Sequence, residues 1–582
     1  MPGRRIAVVD RDKCQPKKCG YRCIKFCPVY RFNKEVIKLD EQGFPVISEV
    51  LCTGCGICAK VCPYGAIKVV NLPSEQEERL VHKYPSGFRL YGLPCLREGE
   101  VVGILGRNGT GKTTSIKILA GQLLPNFGKE KITQEEILER FKRTEYYSYF
   151  EKLYNKEIKV VVKPQNISDI PKIIKGFVKD IIEKYDELKI AKEILQEFEM
   201  EEILQKRVDE LSGGALQVLA ITVALSRQAD CLYLDEPSVY LDVRRRLALA
   251  RILAEHKKTY TFIVDHDLVV LDYVAEYINI LYGVPGAFGV FSGLKTVRTG
   301  INEFLQGYLK EENVLIRDKP ITFDKRPRIE IPEEENRVIV EFEQLIKRFN
   351  GFELRAEGGK IYSYDLLGII GPNSVGKSTF AKLLAGELQP DSGKLSRTVN
   401  ISFKPQEIYY EDTTLAKFIG KLDSFIKNEV LKAFELDKYL ELPLECLSGG
   451  ELQLAWITRT LAREAELYIL DEPSAFLDVE MRIKLAKVLS NFVEKKRIAV
   501  VLIDHDLQII DYLCNKVMIF DGKPNVYGIA KGPYKIEEGL NEFLKSVGIT
   551  FRRDIETYRL RANKLGSKKD KEQKEQNIYY PR

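Results

Sequence analysis

No stretch of this 582-residue sequence is apolar enough to cross a lipid bilayer, because none approaches the roughly 18 consecutive apolar residues that a spanning helix needs. The first residues, MPGRRIAVVDRDKC, also lack the apolar segment of a secretory signal. Both absences argue against a membrane or secreted protein. They predict a soluble, cytoplasmic chain with no membrane partner.

Histidine and tryptophan are scarce, at four and one, whereas charged and apolar residues have the ordinary globular proportions of 30% and 45%. The length predicts roughly three or four domains. The net charge of +6 comes from the first 40 residues, where eleven Lys and Arg outnumber four Asp and Glu. This basic region indicates an anionic partner such as nucleic acid, or compensation for an anionic cofactor.

Cysteine is concentrated near the N-terminus, where eight of the twelve fall within the first 62 residues. They form two runs, each ended by Cys-Pro: Cys14, Cys19, Cys23 and Cys27, then Cys52, Cys55, Cys58 and Cys62. The second run has the spacing of bacterial 4Fe–4S ferredoxins, and in two-cluster ferredoxins the last Cys of each run serves the other cluster. The pattern therefore predicts two 4Fe–4S clusters, one held by Cys14, Cys19, Cys23 and Cys62, the other by Cys27, Cys52, Cys55 and Cys58.

Zinc is the alternative metal, although zinc sites usually use two separated Cys pairs rather than four close cysteines followed by Pro. Disulfides are disfavoured in a cytoplasmic chain. Core packing explains the scattered remaining cysteines, which are Cys95, Cys231, Cys446 and Cys514.

A long internal repeat organises the rest of the chain. Residues 211–242 and 447–478 each carry Leu-Ser-Gly-Gly, an Asp-Glu pair 23 residues after the Ser, and another Asp seven residues later. This register indicates a duplicated domain. The apolar run before each Asp-Glu predicts a buried strand, so the carboxylates lie at strand ends, where open α/β sheets bind ligands. The repeated polar residues are Ser212, Gly213, Gly214, Asp235 and Glu236, and Ser448, Gly449, Gly450, Asp471 and Glu472.

Upstream of each copy lies a loop of the form G-x-x-x-x-G-K-S/T between an apolar strand and a predicted helix. Its glycines let backbone N–H groups surround a phosphate, its Lys reaches the outer phosphates, and its hydroxyl residue binds Mg²⁺. The first loop comprises Gly106, Arg107, Asn108, Gly109, Thr110, Gly111, Lys112, Thr113 and Thr114. The second comprises Gly371, Pro372, Asn373, Ser374, Val375, Gly376, Lys377, Ser378 and Thr379. We therefore expect an α/β P-loop NTPase with two tandem nucleotide-binding domains and two Mg-ATP sites.

Two further residue types recur at matched positions. Gln165 and Gln406 each end a Lys-Pro-Gln tripeptide, and His266 and His505 each follow an apolar strand within Asp-His-Asp. A lone His is more often a core residue, but two of four at matched strand ends indicate contacts with the γ-phosphate. Tyr84 and Phe88, upstream of the first loop, are candidates for stacking on adenine, with ordinary core packing as the alternative.

The first half carries an insertion, because Lys112 and Gln165 are 53 positions apart whereas Lys377 and Gln406 are 29 apart. The extra residues fall at about 131–155, where the apolar spacing predicts two short amphipathic helices with Arg140, Lys142 and Arg143 exposed. We interpret them as a docking helix-loop-helix, with a purely structural elaboration as the alternative.

Beyond each His, Gly-x-Asn-Glu-Phe-Leu recurs at 300–305 and 539–544, which predicts matched hinge segments. These features divide the chain into a ferredoxin-like iron–sulfur domain (1–75), a first nucleotide-binding domain (76–295), a hinge and linker (296–336), a second nucleotide-binding domain (337–530), a second hinge segment (531–565) and a tail (566–582). The polar composition of the tail predicts disorder.

The phosphate loop, Gln, Leu-Ser-Gly-Gly, Asp-Glu and His together resemble the ATP-binding-cassette superfamily. Two cassettes behind an eight-cysteine head resemble one subfamily, the ribosome-recycling ATPases of the RNase L inhibitor family (subfamily E), over about residues 1–565. Three departures stand out: Ser374 replaces a usual Gly, Ala215 replaces the usual Glu or Gln after Leu-Ser-Gly-Gly, and the segment KIYSYDLLGII before the second loop is unusual.

The resemblance implies two composite ATP sites formed head to tail, with Lys112 facing Ser448–Gly450 and Lys377 facing Ser212–Gly214. It implies that Glu236 and Glu472 polarise the attacking water, and that His266 and His505 stabilise charge on the γ-phosphate. Asp235 and Asp471 would help to hold Mg²⁺. The other implied magnesium contacts are Thr113, Gln165, Ser378 and Gln406.

The implied activity is Mg-dependent ATP hydrolysis by a monomer that splits ribosomes into subunits after termination or rescue. The implied partners are the ribosome, mainly its small subunit and rRNA, a release or rescue factor, and initiation factors. The alternatives are a redox-linked cassette ATPase and the motor subunit of a transporter, which the lack of a membrane segment opposes. A DNA-repair cassette would carry a long coiled coil between its motifs, and the sequence has none.

Overall fold

The computed structural model describes residues 5–11, 13–32, 35–49, 51–71, 78–323, 337–397 and 400–581. The chain separates into two compact units. The first comprises Met1–Pro237, Ile252–Lys319 and Lys438–Leu447, and the second comprises Ser238–Arg251, Pro320–Asp437 and Ser448–Arg582. None of the helices in the described ranges is long and apolar enough to cross a membrane.

The N-terminal segment of the first unit is built from short elements. Its strands form two antiparallel pairs, β1 (Arg5–Val9) with β4 (Ile67–Asn71) and β2 (Ile37–Leu39) with β3 (Pro45–Ile47). Its helices are α1 (Pro16–Cys19), α2 (Arg22–Lys25), α3 (Pro28–Arg31) and α4 (Ile57–Val61). The small core consists of residues such as Ala7, Val36 and Ile67 together with cysteines, so apolar packing alone gives this segment little stability.

The same segment packs against the adjoining sheet of its unit. Ile6, Val8 and Val70 contact Ala287, and Lys68 Nζ donates to the carbonyl of Pro285 at 2.7 Å. The carboxylate of Glu49 forms ion pairs with Lys83, at 2.8 Å, and with Arg89. An apolar patch and a half-buried ion-pair cluster therefore hold the cysteine-rich segment in place.

The main sheet of the first unit has eight strands, in the order β5-β6-β12-β11-β7-β10-β9-β8. Strands β8, β9, β10, β7 and β11 run parallel and are mostly continuous apolar runs, as expected for buried parallel strands. The strands are β5 (Leu80–Lys83), β6 (Arg89–Tyr91), β7 (Val101–Gly106), β8 (Val160–Lys163), β9 (Cys231–Asp235), β10 (Tyr260–Val264), β11 (Tyr277–Val284) and β12 (Phe288–Thr296).

The helices between these strands follow the chain order. They are α5 (Lys112–Leu119), α6 (Gln134–Phe141), α7 (Tyr146–Tyr154), α8 (Ile170–Ile173), α9 (Val178–Tyr185), α10 (Ala191–Glu197), α11 (Gly213–Ser226), α12 (Val243–Glu255), α13 (Leu268–Val274) and α14 (Val297–Gln306). A hairpin of β13 (Tyr308–Leu309) and β14 (Val314–Leu315) follows.

The insertion at 131–155 forms α6 and α7 and packs into the core of the first unit. A capping box between Thr133 and Glu136 starts α6, and Phe141 and Phe150 stack in the interior. The hydroxyl of Tyr149 lies 2.6 Å from that of Tyr233 on β9. The apolar faces of both helices are therefore structural, and only their polar faces remain for a partner.

The main sheet of the second unit has nine strands, in the order β18-β15-β16-β23-β22-β17-β21-β20-β19. The strands are β15 (Val338–Phe349), β16 (Phe352–Tyr362), β17 (Leu366–Ile370), β18 (Ser392–Arg397), β19 (Ile401–Lys404), β20 (Leu467–Asp471), β21 (Ala499–Ile503), β22 (Lys516–Lys523) and β23 (Tyr527–Lys535). The core order β17-β21-β20-β19 repeats β7-β10-β9-β8, as the duplicated motifs predict. The unusual segment KIYSYDLLGII contains the end of β16, a turn and the whole of β17.

The helices of the second unit are α15 (Lys377–Ala385), α16 (Leu415–Ile419), α17 (Leu431–Ala433), α18 (Gly449–Ala462), α19 (Val479–Lys496), α20 (Leu507–Leu513), α21 (Ile536–Val547) and α22 (Lys568–Glu575). A hairpin of β24 (Phe551–Arg553) and β25 (Leu560–Ala562) lies between α21 and α22. The two Gly-x-Asn-Glu-Phe-Leu segments fall within α14 and α21.

The prediction of a disordered tail over 566–582 is wrong for its described residues. Ser567 caps α22, and Tyr580 is only 1% exposed. Backbone N–H groups of Tyr579 and Tyr580 donate to Asn541 Oδ1, at 2.7 and 3.1 Å. Composition indicated disorder because the segment is polar, but a few aromatic anchors outweigh that average.

The compact units also differ from the predicted domain division. Ser238–Arg251 groups with the second unit and Lys438–Leu447 with the first. Ser238–Arg251 groups with the second unit because Tyr240 and Asp242 form hydrogen bonds with Asn373. Residues 72–77, which contain the predicted 75/76 boundary, and 324–336 of the predicted linker lie outside the described residues.

Candidate functional site

The first phosphate loop connects β7 to α5, as its motif predicts. Lys112 is buried, and its Nζ donates to the carbonyls of Gly106 and Arg107 at 2.8 and 3.0 Å. The neighbouring Thr113 hydroxyl donates to Asp235 Oδ2 at 2.8 Å. The loop lysine, the hydroxyl and the strand-end carboxylate are thus assembled in one place.

Glu236, at the end of β9, contacts two polar side chains. Gln165 Nε2 donates to its Oε1 at 2.9 Å, and His266 Nε2 lies 3.6 Å from the same oxygen. His266 Nε2 also lies 2.9 Å from Asn108 Oδ1 of the phosphate loop. Burial raises the pKa of Glu236 and that of Asp235. This geometry suits a carboxylate that orients a water beside a phosphate.

The second unit repeats the arrangement. Lys377 Nζ donates to the carbonyls of Gly371 and Pro372 at 2.8 and 2.7 Å. Gln406 Nε2 donates to Glu472 Oε1 at 2.8 Å, and His505 Nε2 lies 3.4 Å from that oxygen. The matched residues of the two halves therefore occupy matched places.

The electrostatics of the second site differ from those of the first. Burial raises the pKa of Asp471 to about 6. Burial alone would also raise the pKa of Glu472, but the neighbouring side chains of His505 and Lys377 lower it to about 2. The buried Oδ1 and Oδ2 of Asp471 have no hydrogen-bond partner of normal geometry among the described residues. Two orphaned carboxylate oxygens beside the Ser378 position fit a hard divalent cation such as Mg²⁺.

Residues that follow β9 contact the second phosphate loop within the second unit. The N–H of Asn373 donates to Asp242 Oδ2 at 3.0 Å, and Asn373 Nδ2 donates to the carbonyl of Tyr240 at 3.3 Å. Asp242 is the second Asp of the first repeat. A residue from the first motif set is therefore part of the surroundings of the second loop.

The Ser-Gly-Gly tripeptides begin α11 and α18. Ser212 accepts from the N–H of Ala215 at 3.3 Å, whereas Ser448 forms a reciprocal capping box with Glu451. The Ala215 departure therefore removes half of a helix cap. The Ser374 departure leaves a non-glycine residue at φ +61°, where the equivalent Gly109 has φ +75°.

An aromatic ring lies against the last glycine of each phosphate loop. A Cβ on Gly111 would come within 2.9 Å of the Phe88 ring, and one on Gly376 within 3.1 Å of the Phe352 ring. Tyr84 contacts Phe88, with 6.2 Å between the two ring centroids. The sequence analysis missed Phe352, although Gly-Phe-x-Leu at 87–90 and 351–354 was the available signal.

Two buried lysines were also missed. Lys163 and Lys404 are the first residues of the Lys-Pro-Gln tripeptides, and they end β8 and β19. Burial lowers the pKa of each to about 8. The sequence gives no signal that they are buried, because lysine is normally exposed.

The eight N-terminal cysteines line two separate cavities. One is lined by Cys14, Cys19, Cys23 and Cys62, the other by Cys27, Cys52, Cys55 and Cys58. Four cysteine sulfurs around one cavity match the donor set of a 4Fe–4S cluster.

The thiols themselves favour a metal group. Burial, reinforced by neighbouring cysteines, raises the pKa of Cys14 and Cys58 to about 12 and that of Cys23 to about 11. Thiolates in such a place need a cationic group to be stable. The donor set therefore fits iron–sulfur clusters.

Comparison with known proteins finds two kinds of domain in this chain. Residues 94–239 and 358–475 match the family described as ABC transporter. Residues 4–35 match a possible Fer4-like domain in RNase L inhibitor, and residues 45–68 match the 4Fe-4S binding domain. A Methanocaldococcus jannaschii protein, described as an uncharacterized ABC transporter ATP-binding protein, is 44% identical over 99% of this chain and 97% of its own. Translation initiation factor RLI1 of Saccharomyces cerevisiae is 38% identical over 99% and 98%.

Two solved structures are similar at 44% identity. A model of ribosome-bound archaeal Pelota and ABCE1 covers 100% of both chains with a TM-score of 0.91. A crystal structure of archaeal ribosomal stalk protein aP1 with archaeal ribosome recycling factor aABCE1 covers 87% of this chain and 100% of that one, with a TM-score of 0.82.

The fold and sites define a tandem ATP-binding-cassette ATPase with an N-terminal ferredoxin-like domain that binds iron–sulfur cofactor. Full-length relatives at about 40% identity narrow this class further. The chain belongs to the RNase L inhibitor family, which confirms the resemblance inferred from its motifs.

Proposed function

We propose that this protein is an ATP-driven ribosome recycling factor, which splits ribosomes into subunits after termination or rescue. The observation that carries the proposal is the match over 100% of both chains to ABCE1 in the ribosome-bound model. The second similar structure contains a ribosomal stalk protein, which supports the same assignment. We place the protein in the cytoplasm, as a monomer.

The ATP chemistry follows from the two matched sites. Lys112 and Lys377 would bind the outer phosphates, and Thr113 and Ser378 would bind Mg²⁺ with the strand-end carboxylates Asp235 and Asp471. The metal would supply charge that neutralises the phosphates. Gln165 and Gln406 complete the magnesium contacts and keep the neighbouring glutamates oriented.

Glu236 and Glu472 would polarise the attacking water, because each carboxylate is held at a strand end by Gln and His. His266 and His505 would stabilise charge on the γ-phosphate. The support for these roles is the Gln–Glu–His geometry, which occurs twice with hydrogen bonds of 2.9 and 2.8 Å from Gln to Glu. Phosphoryl transfer needs little more than such positioning and charge.

Each ATP would also contact Ser-Gly-Gly of the other cassette, Ser448–Gly450 for the first site and Ser212–Gly214 for the second. The support for this proposal is the family resemblance, which implies that the Ser-Gly-Gly of one cassette faces the phosphate loop of the other. Phe88 and Phe352 are our candidates for stacking on adenine, in preference to Tyr84.

The cysteine-lined cavities would hold two 4Fe–4S clusters, with Cys27 and Cys62 exchanged between the runs. The clusters would give rigidity to a domain whose own core is small, so that it can act as a wedge when the cassettes close. We expect the polar face of α6 and α7 and the two hinge segments to bind the small subunit and its rRNA. A release or rescue factor, and initiation factors, are the proposed protein partners.

The test is a sucrose gradient of purified ribosomes with this protein, a release or rescue factor and ATP. We expect subunits to separate only when ATP and both cysteine runs are intact. Ribosomes that stay whole, with no protein in the small-subunit fraction, would overturn the proposal. A cluster that cycles reversibly between oxidation states in step with ATP hydrolysis would favour a redox-linked ATPase instead.

A further inference from the structure

Two lysines lie beneath the Asp-Glu pairs of the two ATP sites. Lys163 is 1% exposed and Lys404 is fully buried. Lys163 Nζ donates to the carbonyls of Asp235 and Glu236 at 2.9 and 3.3 Å, and Lys404 Nζ donates to the carbonyl of Asp471 at 2.8 Å. The target of each lysine is therefore the main chain of the catalytic segment rather than a phosphate.

That main chain is strained. Glu236 and Glu472 have φ values of +48° and +47°, in the left-handed region that non-glycine residues avoid. A non-glycine residue in this region is strained and persists only where its surroundings fix it. The carbonyl of Glu236 accepts from Gln217 Nε2 at 2.9 Å, and that of Glu472 from Gln453 Nε2 at 2.6 Å. A lysine and a glutamine thus hold each turn from inside.

The same tripeptide also reaches the glutamate side chain. Gln165 follows Lys163 by two residues and donates to Glu236 Oε1, and Gln406 stands in the same relation to Lys404 and Glu472. Lys-Pro-Gln therefore contacts both the backbone and the carboxylate of one catalytic segment. If each lysine only balanced the charge of the buried carboxylates, its ammonium group would be enough. The same pair of contacts, from Lys to the backbone and from Gln to the carboxylate, would not need to recur in both halves.

We propose that Lys163 and Lys404 are positioning residues for ATP hydrolysis. Each holds the left-handed turn at the end of its strand, so that the glutamate carboxylate stays aimed at the attacking water. This inference rests on the proposed roles of Glu236 and Glu472. It assigns the lysines no contact with ATP.

The test uses the full-length protein with Lys163→Met and Lys404→Met combined. Methionine matches the unbranched lysine side chain as far as Cε but removes the donor nitrogen. Because a misplaced catalytic group slows turnover without weakening ground-state binding, we expect kcat to fall by about tenfold or more while KM for ATP changes by less than about threefold. Arginine at both positions keeps a donor and should restore part of the rate. Lys159→Met, at an exposed lysine just before β8, is the matched control and should match wild type.

A second readout separates positioning from simple support of the fold. In a Glu236→Gln/Glu472→Gln background, the lysine changes should alter the residual rate by less than about twofold, because they act through the missing carboxylates. An unchanged kcat, a rise in KM alone, a further loss in that background, or failure of the methionine variant to fold would each overturn the inference. Full turnover by Glu236→Gln/Glu472→Gln would instead refute the catalytic assignment on which it rests.

Discussion

Gln165 and Glu236 are joined by a hydrogen bond of 2.9 Å from Nε2 to Oε1, and this bond connects the ends of two adjacent parallel strands. Gln406 and Glu472 repeat it at 2.8 Å. The residue that we propose as a magnesium contact is therefore hydrogen-bonded directly to the residue that we propose for water activation. Because the same hydrogen bond occurs in both halves, we expect Glu236 and Glu472 to have the same role, which single substitutions can test.

Glu236→Gln and Glu472→Gln should trap ATP. The amide keeps the size of the side chain but cannot polarise water as a carboxylate does, so hydrolysis should fall by about 100-fold or more while binding persists. The measurement is the nucleotide retained after rapid gel filtration, with turnover measured in parallel. Glu255→Gln, at the exposed end of α12, is the control. Full turnover in the double variant would show that another group activates the water.

Each proposed cluster takes three cysteines from one run and one from the other, and this predicts which cysteine substitutions remove the same cluster. The intact protein should contain about eight irons and eight sulfides, from two 4Fe–4S clusters. Cys27→Ser should remove the same cluster as Cys55→Ser, although Cys27 belongs to the first run, and each should leave about four irons. Iron and sulfide analysis with electron paramagnetic resonance measures this, with Cys95→Ser as the control. Stoichiometric zinc, or loss of the first-run cluster in Cys27→Ser, would contradict the assignment.

Glu49 should make the stability of the first unit depend on pH. Burial by itself raises the pKa of Glu49, but Lys83 and Arg89 outweigh it and hold the pKa below its usual 4.5. The stabilisation is therefore present above pH 4.5 and is lost as pH falls through the lowered pKa. At pH 7, Glu49→Gln should cost about 1–3 kcal/mol, and this difference should shrink at low pH.

Thermal unfolding of both proteins between pH 7 and pH 3.5 provides the check. Glu41→Gln, at an exposed position nearby, should leave the curve unchanged. A Glu49→Gln penalty that is constant over this range would show that packing, not charge, holds the cysteine-rich segment.

Charge reversal on the insertion should weaken small-subunit binding. Lys142 and Arg143 are exposed, whereas the apolar faces of α6 and α7 are buried, so Lys142→Glu/Arg143→Glu should spare the fold and the basal ATPase. Because phosphate contacts are strongly electrostatic, we expect affinity to fall by about tenfold or more at low salt. Lys189→Glu/Lys192→Glu, an exposed pair elsewhere in the first unit, is the control. If both variants sediment equally with the small subunit, the insertion does not bind the small subunit through these charges.

Tyr580 should stabilise the second unit through its hydroxyl. The hydroxyl donates to Asp511 and accepts from Arg553 Nη2 at 2.8 Å, and Arg553 also pairs with both Asp511 oxygens. Tyr580→Phe should cost about 1.5–3 kcal/mol, because the lost hydrogen bond involves a charged acceptor. Tyr579→Phe, at a partly exposed ring, serves as the control in the same denaturant titration. Identical midpoints for the two variants would show that the network adds nothing to stability.

Local patterns were sufficient to predict the repeated machinery. The strands that end at Asp235 and Asp471, the helices that begin at Lys112 and Lys377, and the paired His positions all follow from motif spacing and apolar runs. These features could be predicted because each depends on residues close together in sequence. Phe352 was missed although its local pattern repeats that of Phe88.

Contacts between distant residues could not be predicted in the same way. The polar composition of the tail indicated disorder, but Tyr580 is buried against Asp511, 69 positions earlier. The spacing of the insertion predicted two amphipathic helices, but not that Tyr149 reaches Tyr233, 84 positions later. Lys163 was missed because its partner is a backbone carbonyl on another strand, 72 positions later. In each case the residue that fixes the structure lies too far away in the sequence for a short segment to reveal it.

The burial of Tyr580 has a consequence for biosynthesis. Helix α20 starts two residues after His505, but Asp511 within it acquires Arg553 and Tyr580 only when residues 553–580 have been synthesised and have left the ribosomal exit tunnel. Domains fold as they emerge, so the first cassette can form while the second still waits for its final anchor. A product that ends before Arg553 would lack the contacts of Asp511 with Arg553 and Tyr580, so we expect its second unit to unfold more easily than that of the 582-residue chain.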